Sequence, residues 1–133
     1  MVYNLLIMVH QTKMTKVLVI EDVPESAQLA KRLLDAQNYD VLLAANGGEG
    51  LQMVREHKPD VILLDLGLPD IDADMLALKL CVEIDEANTP VIVVSAWPEN
   101  EVRRMTEAYC FKTYLSKPYN VDKFTQTVSS YVN

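Results

Sequence analysis

Short apolar runs rich in β-branched residues recur along the chain, and stretches with helical periodicity separate them. These runs predict five strands, at residues 17–20, 41–44, 61–64, 91–94 and 113–115. Residues 61–64 and 91–94 are apolar at every position. Because a strand without a polar face must be covered on both sides, these two strands predict a parallel sheet between two layers of helices.

Five helices are predicted in strict alternation with the strands. Residues that suit the start of a helix precede four of them: Pro24, Gly47 with Gly48, Pro98 followed by acids, and Asn120 as a cap. The remaining helix is marked by apolar residues at helical spacing, Met75, Leu76, Leu80 and Ile84. Right-handed crossovers between parallel strands then favour a doubly wound α/β fold with helices on both faces of the sheet.

Length and composition narrow the class of protein. The chain has 133 residues, 50% of them hydrophobic and 23% charged, which suits one globular domain. Its net charge of -7 argues against direct nucleic-acid binding, which needs a basic surface. No apolar run reaches the ~18 residues of a membrane span, and the apolar N-terminus lacks the basic leader of a signal peptide. We therefore expect a cytoplasmic protein.

The two cysteines, Cys81 and Cys110, both lie in apolar stretches, and neither belongs to a C-x-x-C pair. This pattern predicts two buried thiols in a reducing cytosol.

Polar residues follow the predicted strands at the edge where such folds bind ligands. They are Glu21 and Asp22, Asp65, Ser95 with Ala96, and Lys117. The three carboxylates would repel one another, since one like-charge pair at ~4 Å costs roughly 4 kcal/mol at an effective dielectric near 20. A divalent cation would offset that repulsion.

Magnesium is the ion that this set of oxygens suits. Asp22 and Asp65 can each give one oxygen, and Glu21 can reach the ion through a water. With the ion and the Lys117 ammonium beside it, the Asp65 carboxylate sits in a pocket suited to a phosphoryl group, which it can attack as a nucleophile. The Ser95 hydroxyl would donate a further hydrogen bond to that group, as would the Ala96 N–H.

Four segments of the chain resemble the receiver domain of two-component response regulators (CheY-like). They are Val17-Leu-Val-Ile-Glu21-Asp22, Asp60-Val-Ile-Leu-Leu-Asp65-Leu-Gly-Leu-Pro69-Asp70, Pro90-Val-Ile-Val-Val-Ser95-Ala96 and Tyr114-Leu-Ser-Lys117-Pro118. The resemblance implies a flavodoxin-like sheet with strand order 2-1-3-4-5. It also implies that a sensor histidine kinase or a phosphotransfer protein phosphorylates Asp65.

The resemblance assigns further roles by position. Magnesium would be bound by Glu21, Asp22, Asp65 and the backbone carbonyl of Gly67, while Ser95 and Lys117 would bind the phosphoryl group. Tyr114 resembles the switch aromatic that turns inward when Ser95 moves, and the Lys117–Pro118 bond is typically cis. The protein would not be an enzyme in its own right, but a phosphoacceptor that assists its own phosphorylation and dephosphorylation.

The sequence departs from the family pattern at four positions near these motifs. Ala73 and Cys110 stand where glycine is common, and Gly67 leaves one side of the site less shielded. Trp97, two residues past Ser95, is unusually large, and we predict that it partly covers the site and tunes how fast water attacks the phosphoaspartate.

Residues 1–15 form an N-terminal extension outside the resemblance, and residues 16–133 form the predicted receiver domain. The extension is either a mobile or vector-derived tail or an apolar segment that packs on a neighbouring subunit, as in a homodimer.

Three functions fit the sequence to different degrees. The first is a phosphorylation-operated switch, either a single-domain regulator that docks on a downstream protein or relays phosphoryl groups, or a receiver cut from a larger protein. The second is a pseudo-receiver, a protein-binding module that no longer uses phosphate. A magnesium-dependent phosphatase with an aspartyl nucleophile is disfavoured, because the position of its general acid is Gly67.

A calcium loop at Asp70, Asp72 and Asp74 lacks the required glycine and glutamate, and Asp72 is better explained as a helix cap.

Overall fold

Five strands and five helices alternate along the chain, and the structure, a computed structural model, describes residues 14–84 and 88–132. The strands are β1 (Lys16–Ile20), β2 (Asp40–Ala44), β3 (Val61–Leu64), β4 (Val91–Ser95) and β5 (Thr113–Ser116). The helices are α1 (Pro24–Asp35), α2 (Gly47–His57), α3 (Ala73–Glu83), α4 (Glu99–Ala108) and α5 (Val121–Ser130). The predicted alternation is confirmed, and the strand bounds differ from the prediction by one residue at most.

The strands form one parallel sheet in the order β2-β1-β3-β4-β5, as expected. Every residue of β3 and β4 is buried, which confirms that both faces of the central strands are covered. The order reverses beside β1, because the chain moves outward to β2 and then crosses back to β3. The carboxyl ends of β1 and β3 therefore lie side by side at the point where such folds bind ligands.

Two hydrophobic cores lie on opposite faces of the sheet, because successive strand residues point to opposite sides. Leu18, Ile62 and Val93 belong to the core beneath α2, α3 and α4. Val19 and Leu63 belong to the core beneath α1 and α5, which also contains Phe124 and Val128 of α5. Each face thus buries apolar side chains against its own helix layer, which fixes the register of every strand.

Side-chain caps define three of the helix starts. Asn46 Oδ1 accepts from the N–H of Glu49 at 2.8 Å. Asp72 Oδ2 accepts from Asp74 N at 3.1 Å and from Met75 N at 3.3 Å, and Asn120 Oδ1 accepts from Lys123 N at 3.0 Å. The predicted caps at Asp72 and Asn120 are confirmed.

Helix α3 departs in detail from its predicted pattern. Leu76 and Leu80 are buried as expected, but Met75 is 48% exposed and Ile84 lies beyond the last helical residue. Met75, Leu78 and Val82 instead form an exposed apolar stripe, which a periodicity argument alone cannot separate from the core-facing side of an apolar helix.

The prediction of two buried thiols is wrong. Cys81, in the last turn of α3, is joined to Cys110, between α4 and β5, by a disulfide across a sequence separation of 29. Both residues are half-buried rather than fully buried. The pairing depends on how the fold brings α3 beside the α4–β5 connection, and no local cysteine spacing reports that contact.

Among the described helices, none has the length and apolar character that a membrane span needs.

Candidate functional site

The hydrogen-bond ladder of the sheet continues past the strand ends and fixes the residues that follow them. The N–H of Glu21 donates to a carbonyl of β2 at 2.9 Å. The N–H of Asp65 donates to the carbonyl of Ile20 at 3.0 Å, and that of Lys117 donates to the carbonyl of Ser95 at 2.9 Å. Residues from three separate strand ends are therefore held at one edge of the sheet by backbone bonds, as the sequence predicts.

The three acids converge at this edge. Glu21, Asp22 and Asp65 each offer a carboxylate oxygen, and these oxygens lie within 4.8 Å of one another. Glu21 is buried and also accepts the N–H of Val23 on Oε2 at 3.2 Å, whereas Asp22 and Asp65 are partly exposed. Hard oxygen donors at a site open to water on one side are the environment that magnesium prefers, since it usually keeps several waters. These residues therefore fit a magnesium ion.

Lys117 supplies the positive charge opposite these acids. Its Nζ donates to Glu21 Oε1 and lies 3.6 Å from Asp65 Oδ2. Burial lowers the pKa of Lys117, but the hydrogen bond to Glu21 and the charge of Asp65 outweigh that effect and raise the pKa above its ordinary value. The side chain therefore remains an ammonium at the site. The Lys117–Pro118 peptide bond is cis, as the resemblance implies.

Ser95 ends β4 and is completely buried. Its Oγ accepts the N–H of Trp97 at 3.1 Å. Strand register places Leu64 opposite Val93, so Ser95 lies one residue further along than Asp65 on the neighbouring strand. The exposed Ala96 borders the same pocket as Asp65. The register thus places Ser95 at the same edge of the sheet as Asp65, and its role in binding a phosphoryl group stays a prediction.

Trp97 lies against Gly67. A Cβ added to Gly67 would stand 3.1 Å from Trp97 Nε1, so the indole occupies the space that a larger residue at this position would need. Gly67 is two residues past Asp65 and is itself exposed. This contact agrees with the predicted position of Trp97 beside the site, while the part assigned to the Gly67 carbonyl stays a prediction.

Tyr114 lies away from the acid cluster, on β5. Its hydroxyl donates to Glu99 Oε1 at 3.1 Å, at the first residue of α4. The ring is half-buried and packs on the core beneath α4. Tyr114 therefore joins β5 to the start of α4. That helix start follows Ser95 and Trp97 by only a few residues.

Asp70 has a role that the sequence analysis missed. Its two carboxylate oxygens accept the N–H groups of Gly47 and Gly48, each at 2.9 Å, at the start of α2. These two hydrogen bonds hold the pKa of Asp70 below its ordinary value. They tie the loop that follows Asp65 to a neighbouring helix, a contact between residues more than 20 positions apart that no local motif announces.

A pocket of about 400 Å³ also borders the site and has no sequence signal. It lies between α1 and α5, and its lining is mostly apolar, including Leu29, Ala30 and Phe124 beside Asp65 and Lys117. An apolar surface therefore lies next to the acid cluster, on the side of α1 and α5.

Residues 17–129 match the family described as response regulator receiver domain. The chain belongs to this family. It is 32% identical over 117 residues to the polar-differentiation response regulator DivK of Brucella anthropi, a match that covers 87% of this chain and 94% of the relative. Identity to the protein of that name from Brucella ovis is 33% over 121 residues, covering 90% of this chain and 98% of the relative.

Solved structures show the same fold. A receiver domain protein from Methanospirillum hungatei superposes with a TM-score of 0.82 at 22% identity, over 89% of this chain and 93% of the other. The receiver domain of the Francisella response regulator 1452 superposes with a TM-score of 0.78 at 30% identity, over 88% and 95%. The response regulator TrrA of Thermotoga maritima, solved in complex with Mg²⁺-BeF, gives 0.79 at 23% identity, over 90% and 100%. This chain is thus a receiver domain of two-component signalling, a class that typically binds magnesium and interacts with kinases and downstream proteins.

Proposed function

We propose that this receiver domain is a phosphorylation-operated switch that accepts a phosphoryl group on Asp65. The observation that carries the proposal is the clustering of Glu21, Asp22 and Asp65, with oxygens within 4.8 Å, beside the ammonium of Lys117. Concentrating like charges at one sheet edge costs stability and contributes nothing to packing. A site for a charged ligand explains why these side chains meet.

The reaction transfers a phosphoryl group from a histidine nitrogen to an oxygen of Asp65, and then from Asp65 to water. A carboxylate oxygen of Asp65 attacks the phosphorus of a phosphohistidine on the donor, and the P–N bond breaks with its electron pair returning to the ring nitrogen. Water later attacks the same phosphorus, and the P–O bond to Asp65 breaks to release inorganic phosphate. The chain thereby assists its own phosphorylation and dephosphorylation and acts as a phosphoacceptor, not as an enzyme on a separate substrate.

Each residue around Asp65 has a defined task in that transfer. Glu21, Asp22 and Asp65 would hold magnesium together with the Gly67 carbonyl, and the ion supplies charge neutralisation for the phosphoryl oxygens. The ammonium of Lys117 would pair with a phosphoryl oxygen on Asp65, because its Nζ lies 3.6 Å from Asp65 Oδ2. Two further donors complete the pocket, the Ser95 hydroxyl and the Ala96 N–H.

The readout begins at Ser95. When the Ser95 side chain moves so that its hydroxyl donates to the phosphoryl group, the Trp97 N–H that it accepts moves with it, and this shifts the residues leading into α4. That movement disturbs the bond between Tyr114 and Glu99 and lets the Tyr114 ring turn inward. The surface formed by α4 and β5 changes as a result, and a downstream protein reads it. A hundredfold change in occupancy requires a bias of about 3 kcal/mol between the two states.

Trp97 acts as a gate over one side of the site. Because its indole packs against Gly67, it limits the approach of water to a phosphoryl group on Asp65. Replacing Trp97 with alanine should speed dephosphorylation several-fold, and Trp97→Phe should have a smaller effect because a ring is retained. Release of inorganic phosphate from the phosphorylated protein measures the rate. Equal rates for both variants and the parent protein would show that Trp97 does not limit the approach of water.

The donor approaches over the surface of α1. Val23 is 43% exposed directly after the acid pair, and Leu29 is 39% exposed at the wall of the apolar pocket. Such side chains suit contact with the apolar helical surface of a histidine kinase or phosphotransfer protein. Two-component transfer of this kind takes place in the cytoplasm, which is where we place the protein.

Chemical phosphorylation tests the proposal without the kinase. Incubation with magnesium and phosphoramidate should add the mass of one phosphoryl group, and chelating the magnesium should prevent it. Asp65→Asn should abolish the addition. Asp60→Asn is the matched control, because Asp60 precedes the same strand at its opposite end, and it should leave phosphorylation intact. Addition to Asp65→Asn at the parental level would refute the site assignment.

The same experiment separates the switch from a pseudo-receiver. A pseudo-receiver would bind a partner protein with no phosphoryl addition in magnesium and with no change in Trp97 fluorescence on adding beryllofluoride. Trp97 is the single tryptophan of the chain and contacts Gly67, so its fluorescence reports on this site alone.

A further inference from the structure

The disulfide joins two elements that flank the readout surface but lie outside the acid site. Cys81 is in the last turn of α3, and Cys110 precedes β5. Their Cα atoms are 5.8 Å apart, and the N–H of Cys110 also lies 3.3 Å from Cys81 Sγ. The backbone where α4 turns into β5 is therefore attached directly to α3.

A second set of contacts ties the same end of α4 to the beginning of α3. The hydroxyl of Tyr109, adjacent to Cys110, donates to Asp74 Oδ1 at 2.6 Å. Arg104 of α4 lies 3.6 Å from the same carboxylate oxygen. The Asp74 contacts are exposed or partly exposed and reversible, whereas the disulfide is covalent. The disulfide is thus a stronger restraint on this end of α4 than the Asp74 contacts are.

The two ends of α4 connect different parts of the molecule. Its first residue, Glu99, receives the Tyr114 hydroxyl, and Trp97 with Ser95 leads into it from the site. Its far end is held by the disulfide. Everything between Cys81 and Cys110, including β4 and α4, lies inside the covalent loop. A shift of α4 that extends to its far end would therefore be limited by the disulfide.

We propose that the Cys81–Cys110 pair is a redox modification site that sets how readily the receiver responds at Asp65. The inference rests on the proposed function. In the oxidised protein, α4 is fixed to α3 and the responsive state is disfavoured. In the reduced protein, the Asp74 contacts and the buried Val102 and Met105 still hold α4, but without the covalent link it shifts more easily. Redox state and phosphorylation would then act on one helix from its two ends.

The chemistry is thiol–disulfide exchange with a small disulfide such as oxidised glutathione. Two protein thiols lose their protons, the sulfur–sulfur bond of one glutathione disulfide breaks, and a protein disulfide forms while two glutathione thiols leave. The reverse reaction consumes two glutathione thiols. Because both cysteines are half-buried, a small thiol can reach the pair without unfolding of the domain.

Beryllofluoride titration of the two redox states tests the inference. The full chain is equilibrated in oxidised or reduced glutathione, its thiols are counted, and magnesium with beryllofluoride is added while Trp97 fluorescence is followed. The reduced protein should reach half-saturation at a concentration about fivefold lower than the oxidised protein, or lower still. Amide exchange in residues 99–108 should also be faster in the reduced protein.

A double variant, Cys81→Ser with Cys110→Ser, is the control for direct effects of glutathione. It should behave like the reduced protein in both buffers. Equal half-saturation of the oxidised and reduced parent protein overturns the inference, as does a pair that stays oxidised at any glutathione ratio. If no form responds to beryllofluoride, the proposed function itself fails. That outcome is distinct, because the thiol count and amide exchange still report whether the disulfide forms and restrains α4.

Discussion

Replacing Lys117 with methionine should make the protein bind magnesium more tightly. In the parent protein the Lys117 ammonium offsets one of the two negative charges of Glu21 and Asp65, and it repels any cation that those acids attract. Methionine keeps most of the volume of the side chain and removes its charge. The acids are then left without the Lys117 ammonium, and a bound magnesium ion would compensate their charge without being repelled by it.

The size of the effect follows from the distances at the site. Lys117 Nζ lies 3.6 Å from Asp65 Oδ2, and magnesium binds oxygen at about 2.1 Å, so an ion on that oxygen would stand at most about 6 Å from the ammonium. Charges of one and two at ~6 Å repel by about 1.4 kcal/mol at the dielectric of water and by about 5.5 kcal/mol at an effective dielectric near 20. The partly open site favours the lower end, so we expect an affinity increase of about tenfold or more.

Urea unfolding with and without magnesium measures this difference. Without the ion, Lys117→Met should be less stable by about 3 kcal/mol, because it leaves the buried Glu21 unpaired. At saturating magnesium the variant should gain at least about 1.4 kcal/mol more than the parent protein gains. Lys79→Met, which removes an exposed lysine, controls for net charge and should match the parent protein. Equal or smaller stabilisation of Lys117→Met by magnesium would refute this view of the site.

Three further predictions concern stability. Asp70→Ala should lower the free energy of unfolding by about 1 kcal/mol at neutral pH. Because folding lowers the pKa of Asp70, this loss of stability should be full above the unfolded pKa of ~3.9 and should vanish as the pH falls through the folded pKa. A loss of stability that persists at lower pH would contradict the charge-based explanation. Gly50→Ala should cost about 1–3 kcal/mol, because its Cβ would stand 2.6 Å from Ile20 Cδ1, and a variant as stable as the parent in urea would contradict that packing. Reducing the Cys81–Cys110 disulfide should lower stability by about 3.6 kcal/mol, the entropy model's value for a separation of 29 residues, and an unchanged urea midpoint after reduction would refute the link.

Most of the fold could be predicted, because the patterns that mark strands and helix starts lie within short segments of the sequence. The apolar runs of β3 and β4 predict buried parallel strands, and the caps at Asp72 and Asn120 mark helix starts without any knowledge of the tertiary structure. The acid site was predictable for a related reason, because parallel strands place all their carboxyl ends at one edge.

The contacts that were missed all join residues distant in the sequence. Asp70 bonds to the start of α2, and Cys81 meets Cys110, only because the folded sheet brings their elements together. The exposure of Met75 could not be predicted either, because α3 is apolar on more than one face and its orientation depends on what packs against it. Residues 1–13, for which two roles were considered, lie outside the described residues, and the domain boundary at residue 16 stays a prediction.

Locating the phosphoryl group on the chain tests most directly whether Asp65 is the residue that accepts it. After treatment with magnesium and phosphoramidate, borohydride reduces the acyl phosphate of an aspartate to homoserine, and peptide mass spectrometry identifies the converted residue. Our account predicts conversion at Asp65, at the end of β3, with no conversion when magnesium is chelated. Conversion at Asp22 or another acid with Asp65 intact, or no conversion at all, would contradict it.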